Sequence, residues 1–155
     1  MKWGGTGALH LAGIALALLI VLINWVRAAE SASQGLRLEN GWIRALPLAV
    51  PSAGYFVLRN DTRSDVVLVS AQSEACGFIS IHKTEATGGI CRMRDMPEVD
   101  VPAKGAVAFA PQSYHLMCLK ARPVLKPGAV VAVTLTFKDG THLRSNFSVR
   151  NAAGY

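Results

Sequence analysis

The 155-residue chain lacks the features that mark several large protein classes. Its three cysteines are too few for a disulfide scaffold, and its 14 glycines show no collagen-like period. Charged residues make up only 17% of the chain, and the 16 Lys and Arg, against 10 Asp and Glu, are scattered singly. Nucleic acid is therefore not a predicted partner. The hydrophobic content of 51% excludes a disordered chain and allows one domain with a buried core.

Helical patterns are missing from most of the chain. From residue 36 onward, short β-rich segments alternate with turn residues, and no 3.6-residue period is longer than two turns. Turn residues separate the segments, most clearly Asp139-Gly140, where a tight hairpin turn is expected. The pattern predicts an all-β domain, a sandwich or a barrel, with a core that includes most of its aromatic residues. Nine strands are predicted, at residues 37–44, 53–60, 66–72, 77–84, 90–95, 105–109, 114–120, 130–137 and 141–149.

One long hydrophobic run is present, at the N-terminus. Residues 8–26 contain His10 and Asn24 as their only strongly polar side chains, and Lys2 and Arg27 flank the run. A basic residue, an apolar run and small residues after it are typical of a secretory signal peptide. The run is also close to the length that spans a bilayer, so an uncleaved membrane anchor is the alternative.

Both interpretations of the leader place the domain outside the cytoplasm. Residues 1–33 are predicted to form a signal peptide or anchor helix, with cleavage expected near 28–33, and residues 34–155 form the domain. An uncleaved anchor would be the only contact of the protein with a membrane.

Outside the leader, the side chains suited to binding a ligand are three His, three Cys and three Met. His115 and Met117 lie two positions apart in a predicted strand, where alternate side chains share a face. Upstream, His82 and Met93 flank a predicted hairpin with residues 86–89 as its loop. In that register, His82 and Met93 lie opposite each other across the two strands.

Two imidazoles and two thioethers form a neutral, soft set of ligands. Thioether sulfur is a good ligand for Cu(I) and a poor one for Zn, Ca or Mg, so Cu(I) is the predicted metal. Zinc more often recruits cysteine or carboxylate ligands, and no Asp or Glu lies at ligand spacing within this pattern. The simpler interpretation is that the methionines only fill the core of a β-sheet.

The spacing of these residues resembles a family signature. His82, ten residues, Met93, twenty-one residues and His115-x-Met117 are similar to the His-x10-Met-x21-His-x-Met signature of the periplasmic copper chaperones called PCuAC. The segments around these residues are also similar, so the resemblance covers residues 36–149.

The resemblance implies a cupredoxin-like Greek-key β-sandwich that carries one Cu(I) near its surface. His82, Met93, His115 and Met117 would be the copper ligands. It also implies a periplasmic location and a copper-acceptor protein as partner, either the CuA centre of cytochrome c oxidase or another assembly factor. Some family members add a His- and Met-rich tail for Cu(II); the segment after Val149 has no such composition, so the Cu(I) site alone is expected.

The remaining candidates are weaker. Met96 has the opposite strand parity to Met93 and is predicted to lie in the core or at its rim, and His142 is predicted to be a surface residue. Cys91 shares the strand parity of Met93 and could contact the copper. Mostly free thiols are expected, with Cys76 and Cys118 buried.

Two other functions stay open at this stage. A blue-copper electron carrier needs one Cys and two His with a weak axial Met, and the order His115, Met117, Cys118 does not match the usual order of that site. An extracellular sandwich that binds no metal is the second alternative. An enzyme is not predicted, because the composition offers no identifiable general acid, general base or substrate pocket.

Overall fold

A computed structural model describes residues 35–47 and 49–155, so the predicted signal or anchor helix lies outside the described residues. Within those ranges the chain forms ten β-strands and no helix, which confirms the all-β prediction. In the same part of the chain, no helix is long and apolar enough to cross a membrane. The strands are β1 (Leu36–Arg44), β2 (Ser52–Asn60), β3 (Val66–Gln72), β4 (Cys76–Thr87), β5 (Ile90–Asp95), β6 (Val99–Val101), β7 (Gly105–Phe109), β8 (Tyr114–Ala121), β9 (Val130–Phe137) and β10 (His142–Arg150).

All nine predicted strands are present, and the sequence pattern missed only β6. This strand has three residues between two prolines, too few to show an alternation. It forms because Val66–Leu68 of β3 offer it an antiparallel partner. The largest error in a boundary is at the end of β4, which continues three residues beyond the prediction.

The strands are hydrogen-bonded in one order, β5-β4-β8-β7-β2-β1-β10-β9-β3-β6, with β8 also paired to β2. Alternation is clearest in β9, where every second residue is buried. One hydrophobic cluster fills the interior, and four of its phenylalanines are at most 2% exposed: Phe56, Phe109, Phe137 and Phe147.

Two aromatic residues depart from the predicted core: Trp42 is only half-buried, and Phe78 is exposed. Ile79 and Ile81 point into the core from β4. Phe78 precedes Ile79 in the strand, so its side chain points to the opposite side and is 60% exposed. Phe78 therefore shares the outward side of β4 with Ser80 and His82.

Candidate metal centre

β4 and β8 carry three of the four predicted ligands. The antiparallel register places His82 opposite His115 and Ser80 opposite Met117. The two imidazole rings meet edge to face, with 5.7 Å between their centroids. Because residues two apart share a face of a strand, His82, His115 and Met117 all lie on one side of this strand pair.

The predicted β4–β5 hairpin register is wrong by two residues, since Met93 lies opposite Thr84 and not opposite His82. The loop contains only Gly88 and Gly89, with φ angles of 60° and 79°. Two consecutive positive φ angles are what a two-residue hairpin turn requires, and glycine adopts them without steric cost. A shift of two residues preserves the face, so Met93 lies diagonally from His82 on the same side of the sheet.

We call this side of the three strands the His-Met face. Exposure increases from β8 to β5: His115 is 5% exposed and Met93 is 62% exposed, while Met117 and His82 are intermediate. The face is defined by Ser80 and His82 of β4, Met93 of β5, and His115 and Met117 of β8.

The orientation of His115 leaves one ring nitrogen available. Its Nδ1 lies 3.1 Å from the main-chain oxygen of Ser113. A carbonyl oxygen only accepts, so Nδ1 carries the proton and donates it. In neutral imidazole, the lone pair of His115 is then on Nε2.

His82 is held by different groups. Its Nε2 lies 2.7 Å from Asp95 Oδ1 and 2.9 Å from Ser80 Oγ. Its Nδ1 is buried and has no hydrogen-bond partner among the described residues. Sequence reasoning missed both Asp95 and Ser80, although Asp95 is two residues after Met93 and so has the strand parity of a site residue.

Aromatic residues border the face on the side of β1 and β2. The ring centroid of Tyr55 lies 6.5 Å from that of His115 and 4.7 Å from that of Trp42. The Arg44 guanidinium is 5.8 Å from both aromatic rings, and that of Arg150 is 4.9 Å from Trp42. This flank is therefore apolar and cationic, and the carboxylate of the site is on the opposite flank.

The expectation of mostly free thiols is wrong. Cys76 of β4 and Cys118 of β8 form a disulfide with 5.5 Å between their Cα atoms. The pairing was not predicted because the sequence does not show that β4 and β8 are neighbours. Near this end of β8, Lys120 has a positive φ angle of 51°, which the sequence pattern does not indicate.

Cys91 is free and exposed, and it has the strand parity of Met93, as predicted. We expect native protein under non-reducing conditions to take up one equivalent of iodoacetamide, and reduced, denatured protein to take up three. Intact-protein mass spectrometry measures both. Uptake of three equivalents by native, unreduced protein would contradict the disulfide.

The described residues contain no group of three His, Cys, Asp or Glu that could hold a metal ion. The His-Met face also carries the thioethers of Met93 and Met117, and thioether ligands favour a soft ion. Met96 is partly buried against the core and His142 is exposed, both in agreement with the sequence analysis.

A family profile described as "LpqE-like: Putative lipoprotein LpqE-like" matches residues 36–149. The chain is 24% identical over 110 residues to "Putative lipoprotein Lxx21020" of Leifsonia xyli, covering 70% of this chain and 66% of that protein. It is 32% identical over 108 residues to "Uncharacterized protein RP573" of Rickettsia prowazekii, covering 67% of this chain and 58% of that protein. The chain thus spans less than two thirds of either relative.

Two solved structures are similar to the domain. The copper-bound PCuAC domain from PmoF2 superposes with a TM-score of 0.63 at 16% identity, covering 76% of this chain and 93% of that domain. The solution structure of CuI-DR1885 from Deinococcus radiodurans superposes with a TM-score of 0.61 at 26% identity, covering 76% of this chain and 81% of that one. The first likeness concerns the fold alone.

Proposed function

Since this chain belongs to the LpqE-like family over residues 36–149, we propose that it is an exported copper chaperone of the PCuAC type with a cupredoxin-like Greek-key fold. It carries one Cu(I) and is not an enzyme. The ion is cargo, held by His82, Met93, His115 and Met117 until a partner protein takes it.

One observation carries this proposal: two imidazoles and two thioethers share one face of three adjacent strands. Thioethers bind Cu(I) without losing a proton, and a neutral set of ligands suits a monovalent ion. Among the described residues His82 Nδ1 has no hydrogen-bond partner, and the proton that His115 Nδ1 donates to Ser113 leaves the lone pair of that ring on Nε2. The similarity to a protein whose solved form is described as CuI-DR1885 supports the same ion.

The exposure gradient supports transfer by exchange of ligands. Met93 is 62% exposed and His115 only 5%. A partner's thiolates or thioethers can replace the exposed Met93 first, while His115 still holds the ion. Copper then moves from one protein to the other without being released into water.

The resemblance to PCuAC chaperones makes the CuA centre of cytochrome c oxidase the proposed acceptor, directly or through another assembly factor. The proposed location is the periplasm, in agreement with the apolar run at residues 8–26 and with relatives that are named as lipoproteins. Lipid attachment is not part of the proposal, because Cys76 is the first cysteine after the apolar run.

A blue-copper electron carrier is disfavoured. Such a site requires a cysteine thiolate beside two histidines. Cys76 and Cys118 are in the disulfide and cannot be that ligand, which leaves only the exposed Cys91 of β5 with a free thiol. Intense visible colour in oxidised, copper-loaded protein would favour the electron carrier.

Anaerobic titration of the full-length protein with Cu(I), against a competing chromophoric chelator, tests the proposal. We expect one tight equivalent, because the His-Met face offers a single set of four ligands. Zn(II) should bind much more weakly, since thioethers are poor zinc ligands. Met96→Leu and His142→Ala change the same residue types outside the face and should bind as the native protein does. Failure of the native protein to compete would favour a domain that binds no metal.

A further inference from the structure

We propose that Asp95 and Ser80 are positioning residues that make His82 bind copper through Nδ1, while His115 binds through Nε2. This inference rests on the proposed function and specifies the two nitrogen ligands of the same site.

The proton on His82 is located by the contact with Asp95. The Nε2 to Oδ1 distance is 2.7 Å. A carboxylate oxygen is an acceptor, so an unprotonated Nε2 at this distance would place two lone pairs against each other. Nε2–H therefore donates to Asp95, and Ser80 Oγ, at 2.9 Å from the same nitrogen, shares this proton as a second acceptor.

The other nitrogen of His82 is then the one with the lone pair. In neutral imidazole with a proton on Nε2, Nδ1 is unprotonated. This atom is buried, and the part of the chain that the structure describes offers it no hydrogen-bond partner. A buried acceptor without a partner costs free energy, and a metal ion on the ring edge would satisfy it.

Both histidines thus have the arrangement that is common for metal-binding imidazoles. One ring nitrogen donates to a carboxylate or a main-chain carbonyl, which fixes the tautomer and leaves the other nitrogen to the metal. For His115 the acceptor is the carbonyl of Ser113. For His82 it is the carboxylate of Asp95, a residue of another strand.

The position of Asp95 gives it a second effect. It lies directly opposite His82 in the β4–β5 register, and all residues of β5 are exposed. The contact therefore joins the side chain of His82 on β4 to β5, at a position two residues from Met93. Loss of the Asp95 side chain should disturb both the tautomer of His82 and the placement of the thioether.

Long-range 1H–15N NMR of the imidazole rings, in full-length protein without metal, tests the tautomers at a pH well above the usual imidazole pKa of about 6.5. We expect the Nε2–H form for His82 and the Nδ1–H form for His115. Addition of Cu(I) should shift the 15N resonances of His82 Nδ1 and His115 Nε2. A shift at His82 Nε2, or an Nδ1–H tautomer of His82, would overturn the inference.

Variants of Asp95 distinguish a role in positioning His82 from a role in the fold alone. Asp95→Ala should mix the tautomers of His82 and weaken Cu(I) binding by about tenfold, the usual size for loss of a group that orients a ligand. Asp95→Asn keeps an acceptor and should restore part of the affinity. Asp100→Ala, an exposed acid on β6, is the matched control and should change neither.

The outcomes distinguish this inference from the proposed function. If the native protein binds Cu(I) and Asp95→Ala binds it equally well with the same His82 tautomer, only the role of Asp95 is wrong. If the native protein binds no Cu(I), both are wrong.

Discussion

Replacing His115 by alanine is expected to weaken Cu(I) binding by about 100-fold or more, because loss of a ligand should cost at least as much as loss of a residue that orients one. His115 is the most buried of the four proposed ligands, at 5% exposure. Water reaches this position poorly and cannot easily replace the imidazole. Competition with a chromophoric chelator under anaerobic conditions measures the change.

The two methionines should differ in a way that follows from their exposure. Met117→Leu keeps the volume of the side chain and removes only the sulfur, and we expect a loss of affinity close to that of His115→Ala. Met93→Leu should cost less, because the 62% exposed Met93 lies at the open edge of the face. Its clearer effect should be on the rate of transfer to an acceptor.

The fold controls for these variants are circular dichroism and thermal unfolding of the metal-free proteins. Met96→Leu provides the matched methionine outside the His-Met face. If His115→Ala keeps native affinity while its fold is intact, the assignment of the site is wrong. Equal losses for Met93→Leu and Met117→Leu would contradict the gradient from β8 to β5.

Removing the disulfide should have the second large effect. Cys76 and Cys118 are separated by 42 positions, and the chain-entropy estimate for a loop of this length is about 4 kcal/mol of unfolding free energy. We expect Cys76→Ala/Cys118→Ala to unfold at a Tm lower by roughly 10 °C or more. Thermal and urea unfolding, followed by circular dichroism, measure the difference.

The effect should also reach the His-Met face. Cys118 follows Met117 in β8, and the bond joins β8 to β4, which carries His82. The double variant should therefore bind Cu(I) more weakly even at temperatures where it is folded. Cys91→Ala is the control, since this exposed thiol cross-links nothing. An unchanged Tm in the double variant would show that the bond does not stabilise the domain.

Several features of the site could be predicted because they depend only on local geometry. His115 and Met117 are two apart in a strand, and two such residues share a face in any β-structure. The strand limits followed from the turn residues that separate the segments, such as Asp139-Gly140, because turn residues act over only a few positions. In the same way, the sequence predicted that Cys91 and Met93 lie on the same side of their strand.

Other features required knowledge of which strands are neighbours. The direct pairing of His82 with His115 depends on β4 lying beside β8, two strands that are distant in the chain. The disulfide between Cys76 and Cys118 was missed for the same reason, although both cysteines were expected to be buried. Phe78 was predicted to lie in the core with the other aromatic residues, although it has the strand parity of Ser80 and His82 and is 60% exposed.

The amino-acid sequence by itself determined the all-β class and nine of the ten strands, because side-chain alternation and turn chemistry are local properties of the backbone. It also predicted the four candidate ligands, from their residue types and spacing. The tertiary structure alone decided the order of the strands, the hairpin register and the contact of Asp95 with His82. The order of the strands depends on pairing between segments far apart in the chain, where burial and hydrogen bonding of the whole sheet select one arrangement. The hairpin register and the Asp95–His82 contact depend instead on the length of the loop between β4 and β5, which has two residues and not the predicted four.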